Sequence, residues 1–324
     1  MAADRTGRDS GNMSDSRLLE PASLVADAVA PARVPGDIAH ARATTLAAPT
    51  KATPRRRRAF RLRVGEVLPW AVIALVVLWA ALPGLFTSFS PITGDAAAAL
   101  QDPSAEHWFG TDATGRDMYS RVVHGAVHSL SGALVAVTVG LVLGTGIGVI
   151  AGSTGGLVDD VLMRIVDVLL AIPTLLLSLS VIILLGFGTL QAAVAVGIAS
   201  VAAFARLSRS EVVRVRRTDY VEAAFASGGR FFAVLRRHVL PNSVNAVIAL
   251  AALQFGTAIL AIATLGFLGY GAPPPTPEWG LMIAEGRNYI ATSWWLTTLP
   301  GLVVVAVVLS ANRISSALAA RGRA

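Results

Sequence analysis

Residues 206–241 read RLSRSEVVRVRRTDYVEAAFASGGRFFAVLRRHVLP. This basic stretch interrupts an otherwise apolar chain, with segments of membrane-spanning length on both sides. Glu222-Ala223-Ala224 stand at its centre, followed by three residues, Gly228 and, further on, Leu240-Pro241. Alanines at 223 and 224 leave little bulk, so a short helix carrying them can enter a groove. Gly228 permits a sharp turn or a close contact that a Cβ would obstruct. Glu222 can cap neighbouring backbone donors or pair with an arginine, and Pro241 can start the next helix without wasting a donor. Taken alone, the stretch also fits an ordinary amphipathic helix at a membrane surface.

Outward from it, composition sets the class. Hydrophobic residues make up 54% of the chain and charged residues 15%, with a mean hydropathy of +0.63, too apolar for an ordinary soluble protein. A hydrocarbon core of ~30 Å takes about 20 apolar residues as helix. Six stretches qualify: 67–87, 130–151, 161–186, 190–207, 243–268 and 296–316. The run Val135–Val149 does not alternate polar with apolar residues as a barrel strand must. The expected fold is an all-α membrane protein of about six transmembrane helices. Residues 1–64 form an Arg-rich tail expected to be disordered, ahead of a membrane domain over 65–324.

Charge orients these spans. The net charge of +7 is carried almost wholly by arginine, and Lys51 is the only lysine. A phosphate-binding loop needs a lysine after its second glycine, so the chain cannot be its own P-loop ATPase. The arginines cluster beside apolar segments without interleaved aromatics, which argues against nucleic acid as a partner. Arg55–Arg58, Arg61 and Arg63 precede the first span and read as a positive-inside anchor. The 208–242 loop carries Arg209, Arg214, Arg216, Arg217, Arg230, Arg236 and Arg237, whereas the 88–129 loop is rich in aspartate. The expected topology has both termini and the 208–242 loop in the cytoplasm. No cysteine is present, so disulfides and thiolate metal sites are excluded.

Within the spans, Gly140, Gly144, Gly148 and Gly152 recur every four residues on one helix face, a stripe that lets another helix approach closely in lipid. Gly144-x-Gly146 is no dinucleotide turn, because it lies in a membrane span and not after a strand. At the third span Arg164 can pair with Asp160 or Asp167 at helical spacing, and Pro173 is expected to kink the helix. In the 88–129 loop, Asp112, Asp117, Glu106, Arg116 and Arg121 point to an internal salt-bridge network, the calcium-loop pattern being absent. His124 and His128 stand four apart without the glutamate or third ligand of a zinc site. Trp279, Trp294 and Trp295 are placed at the outer membrane boundary. No catalytic or metal-ligating set emerges.

Four separated motifs carry a family resemblance: FGTDATGRDMYSR at 109–121, GGLVDDVLMRIVDVLLAIPTLLL at 155–177, YVEAAFASGG at 220–229 with RHVLPN at 237–242, and PPPTPEWGLMIAEGRNY at 273–289. In this order, over roughly 68–324, the chain resembles the inner-membrane permease subunits of dipeptide, oligopeptide and nickel ABC importers, the DppC/OppC-like half. The resemblance implies the type I importer permease fold in a bacterial plasma membrane. It implies a homologous second permease (DppB/OppB-like), two cytoplasmic ATP-binding subunits that bind ATP and Mg, an extracytoplasmic solute-binding protein, and surrounding membrane lipid. It makes Glu222, Ala223, Ala224, Gly228, Leu240 and Pro241 the coupling motif that docks on an ATP-binding subunit. The cargo it implies is a peptide, a nickel complex or a related small solute. One departure is Gly229, where the family more often has another residue, a change expected to loosen the turn. The rival, an ion-driven secondary transporter, wants midplane carboxylates or broken helices around ion sites, and the span centres are nearly uncharged.

Overall fold

A computed structural model describes residues 64–321, and among these the regular structure is helical with one isolated antiparallel bridge, Thr111 to Asp117. The expected tail over 1–64 lies outside the described residues save Val64, which begins α1 (Val64–Ala81). Next come α2 (Met118–Thr154), α3 (Gly156–Ala171), α4 (Thr174–Leu185) and α5 (Thr189–Arg216). Then follow α6 (Asp219–Ala226), α7 (Phe231–Val234), α8 (Leu240–Phe267), α9 (Trp279–Gly286) and α10 (Trp295–Arg321).

The six expected spans map onto four full-length apolar helices, one broken pair and one shorter apolar helix. Met118–Thr154, Thr189–Arg216, Phe231–Phe267 and Trp295–Ala319 are each long and apolar enough to cross a membrane, and the apolar part of α1 runs only over Val67–Ala81. The stretch expected as one span over 161–186 is α3 and α4, bent by 98°. Pro173 explains the break: it offers no N–H, and it forces Ile172 into extended backbone with ψ 128°. The second span begins well before residue 130. Asp117 caps it by accepting from Ser120 N at 2.6 Å, which adds polar turns that sequence hydropathy does not register.

Pro241 stands in the first turn of α8, as expected, but helical backbone leads into it. The helix is already running from Phe231, and a single π turn at Leu235–Val239 comes just before the proline. Leu240 N–H reaches back five residues to Leu235. The widened turn absorbs the donor that Pro241 lacks.

The core is centred on α2 and α5, which run parallel in close contact. Gly140, Gly144, Gly148 and Gly152 are all buried. A Cβ on Gly144 would lie 2.4 Å from Val201 O, and one on Gly148 would lie 2.4 Å from Ala205 O. Only glycine lets the two backbones meet at this distance. Ala126, Val122, Ile259, Ile262 and Phe204 fill the space where α8 joins the pair. Much of α3 and α4, by contrast, faces outward, with Leu157 and Leu184 more than four-fifths exposed.

At the end where α2 starts, the 86–117 loop and α9 form a polar cap. Asp112 accepts from Thr114 N at 2.8 Å, Thr114 Oγ1 at 2.8 Å, Arg116 N at 3.0 Å and Arg116 Nε at 2.6 Å. Fully buried Arg121 donates from Nη2 to Glu285 at 2.9 Å and from Nη1 to Pro91 O at 3.2 Å. Burial pushes the Asp112 carboxyl up, but the bonds from Arg116 and Thr114 and the Arg116 charge outweigh it and hold it below the usual carboxylate range.

Two of the tryptophans assigned to the membrane boundary are instead interior anchors. Trp279 and Trp295 are buried, donating from Nε1 to Val122 O at 3.0 Å and to Thr111 O at 3.2 Å. Trp294 alone of the three is exposed.

Candidate docking loop and interior cavity

The arginine-rich stretch folds at the opposite end of the helices as a compact unit with its own core. Val212 and Val215 from α5, Val221 from α6, and Val234 and Val239 from α7 and the π turn bury one another, with Val149 of α2 against them. Helix α6 needs no capping side chain from Thr218, whose hydroxyl bonds back to Val215 O at 2.6 Å. Its termination is a glycine turn. Gly228 has φ +84°, a left-handed conformation that only glycine adopts freely, and Gly229 N donates to Ala224 O at 3.0 Å.

Gly229 does not loosen this turn. A Cβ there would lie 2.6 Å from Ala224 O and 2.8 Å from Val234 Cγ2, so the residue that departs from the family pattern permits a tighter seat of α6 on α7. Valine burial and turn geometry together hold α6 rigidly on the end of α5.

The sequence-selected residues then fall into two groups. Glu222, Ala223 and Gly228 are exposed on the outer side of the unit, while Ala224 is half-buried against its valines. Among the described residues the Glu222 carboxylate neither caps a backbone donor nor meets an arginine, the two roles considered for it. Leu240 and Pro241 belong to the helix beyond the π turn, outside the unit's valine core, with Pro241 exposed. Tyr220 of α6 is 47% exposed and Phe232 of α7 is 81% exposed, so this end of the molecule presents a glutamate, small residues and two aromatic side chains on its surface.

The ion pairs near this end differ from expectation. Arg164 was matched to Asp160 or Asp167, but Asp167 pairs with Arg206 of α5. Asp159 takes a two-pronged pair from Arg209, Nε to Oδ1 at 2.9 Å and Nη2 to Oδ2 at 2.7 Å. Tertiary packing of α3 against α5 displaced the local i, i+3 and i, i+4 options.

Helices α2, α3, α4, α5 and α8 surround a cavity of about 420 Å³. Its walls are alanine, valine and leucine with Thr174, Ser200, Gln254, Thr257 and Thr264 set among them, and none of the lining residues is charged. Gln254, Thr257 and Thr264 share one face of α8. Among the described residues no group of three or more potential metal ligands occurs. His124 turns its Nδ1 to Ser120 O at 2.9 Å.

Sequence reasoning missed Glu278. It is 1% exposed and accepts from Gly280 N and Leu281 N, each at 2.9 Å, capping α9. Burial pushes its carboxyl up, against the two N–H bonds that favour the charged form. A glutamate directly before Trp-Gly and an apolar run was the available signal, read only as part of a proline-rich loop.

Four helices long and apolar enough to cross a membrane, around an uncharged cavity, define the class as a membrane-spanning protein. Residues 144–323 match the family described as binding-protein-dependent transport system inner membrane component, and the chain belongs to that family. It is similar to the dipeptide transport system permease protein DppC of Alkalihalophilus pseudofirmus, 42% identical and covering 76% of this chain and 81% of that one. It is 38% identical to the probable D,D-dipeptide transport system permease protein DdpC of Escherichia coli, covering 74% of this chain and 81% of that one. The glutathione transport system permease protein GsiD of Pectobacterium atrosepticum is also 38% identical, covering 67% and 72%. Among solved structures, an inward-facing MetNI methionine ABC transporter chain shares the fold with a TM-score of 0.52 at 20% identity, covering 62% of this chain and 97% of that one. The protein is thus a permease of the ABC importer class, in the group whose relatives are named for peptide transport.

Proposed function

We propose that this chain forms half of the translocation pathway of an importer for short peptides, with a homologous permease supplying the other half. Two ATP-binding subunits that carry ATP and Mg dock on the α6 unit in the cytoplasm, and an extracytoplasmic solute-binding protein delivers the cargo to the 86–117 end. The chain itself makes and breaks no covalent bond. The observation that carries this reading is the exposed face of α6, Glu222 and Ala223 beside the Gly228 turn, held rigidly on α5 by buried valines.

Alternating access follows from that rigidity. Closure of the ATP-binding subunits pushes α6, the push passes into α5 and α8, and the cavity between them changes the side to which it opens. An uncharged cavity wall with scattered hydroxyls and one amide suits peptide groups, which offer hydrogen bonds without requiring a counter-ion.

Glu222→Arg tests the docking. The variant should fold and insert normally, fail to retain the ATP-binding subunits on purification, and lose peptide uptake with them. Wild-type co-purification and uptake by this variant would refute the docking role of α6.

A further inference from the structure

Helix α3 leads into α4, and together they wall one side of the cavity through Leu170, Thr174 and Leu175. Yet much of both helices faces outward. Something must make them follow the rest of the molecule. The polar contacts at the docking end supply it.

Arg216 is the last residue of α5, three positions before α6 begins. Its Nη1 donates to Gly152 O at 2.9 Å and Ser153 O at 2.6 Å, neutralising the carbonyl end of α2 where the helix dipole is negative. Directly after those carbonyls the chain turns through Gly155 and Gly156, with φ +70° and +59°, into α3. Three residues into α3, Asp159 is 9% exposed and receives both prongs of the Arg209 fork from α5. The outer pair, Arg206 with Asp167, is more than half exposed on both sides.

A planar fork on a buried carboxylate fixes direction as well as distance, unlike the sliding apolar contacts that α3 otherwise makes. We infer that Arg209 and Asp159, braced by the Arg216 cap on the α2–α3 elbow, are the positioning residues that carry motion from the docking unit to the α3–α4 wall of the pathway. The inference rests on the docking reading of α6. In it, the α6–α5 block is the driver, the Gly155–Gly156 turn is the hinge, and the Arg209–Asp159 fork is the link.

The absence of native cysteine makes distance measurement by paired spin labels direct. In the assembled transporter, a Leu309→Cys/Leu176→Cys pair reports α4 against α10, and a Leu309→Cys/Ser227→Cys pair reports the docking unit against α10, a helix outside the α2–α5–α6 block. With a non-hydrolysable ATP analogue, both distances should shift in the otherwise native chain. In Asp159→Asn, or in Arg209→Gln if the first does not assemble, the docking-unit shift should persist and the α4 shift should fall at least about fivefold in population. The exchanged pair Asp159→Arg with Arg209→Asp should restore it. An α4 shift of native size in the single variants overturns the inference, as does failure of the exchanged pair to restore it. Loss of assembly in both single variants would make the pair a structural brace and overturn it equally. A docking-unit distance that stays fixed in the native chain would instead sink the docking reading itself.

Discussion

Arg121 shows how much a single side chain can organise. It is fully buried, yet it reaches Glu285 of α9, the Pro91 carbonyl and, at 3.7 Å, the Asp112 carboxylate. Removing one partner from such a buried ionic network strands the others, at a cost of ~3 kcal/mol or more. Arg121→Met should therefore lower the unfolding midpoint of the detergent-purified protein markedly and expose the 86–117 loop to protease. Asp112 adds a pH dependence to the same cap. Because its folded-state pKa lies below the ordinary carboxylate range, its stabilising contribution is present above that range and is lost as pH falls below it through the depressed folded-state value. Thermal melts taken from neutral pH downward should show this loss, and Asp112→Asn should start lower and respond less steeply. The sequence made the network visible as facing charges in one loop. It did not show Glu285 as a member, because that residue lies far along the chain on a different element.

At the scale of elements, the parallel pair α2 and α5 meets backbone to backbone. Its four-residue glycine stripe was readable directly from spacing. The partner helix was not, since spacing places small residues on a face without naming what fills the opposite side. The structure assigns Gly148 to the α5 backbone and leaves Gly146, two residues away, with nothing within 4 Å of a Cβ. Gly148→Ala should destabilise by about 1–3 kcal/mol through overpacking, and Gly146→Ala should leave the melting temperature unchanged or raise it. Equal effects at the two positions would remove the close-packing explanation. Pro173 and Pro241 carry the opposite lesson. Both were recognised as backbone breakers, but one bends a span by 98° while the other is absorbed in a π turn within a continuing helix. Neighbouring helices decide which outcome is cheaper.

Across the whole molecule, a polar cap at one end and an arginine-rich docking unit at the other lie beyond opposite ends of the same apolar helices. On the proposed reading, the charge asymmetry puts the α6 unit in the cytoplasm. In a chain without native cysteine, Thr93→Cys in the cap and Arg230→Cys in the docking unit, both exposed, should react with a membrane-impermeant maleimide from opposite sides. Thr93→Cys should label in intact cells and Arg230→Cys only in inverted vesicles. Reaction of Arg230→Cys from outside would invert the topology and detach the energy source from α6.

Hydropathy and four ordered motifs determined the class and where the apolar helices lie, because each is a property of residues near in sequence and of water and lipid around them. Tertiary structure alone decided that Trp279 and Trp295 are interior anchors, that Gly229 tightens its turn, that Asp167 binds Arg206 of α5 and not Arg164, and that Asp159 binds Arg209. Those outcomes depend on groups brought together from distant parts of the chain. A buried polar atom takes whichever partner the packing presents, and desolvation makes that choice costly to refuse.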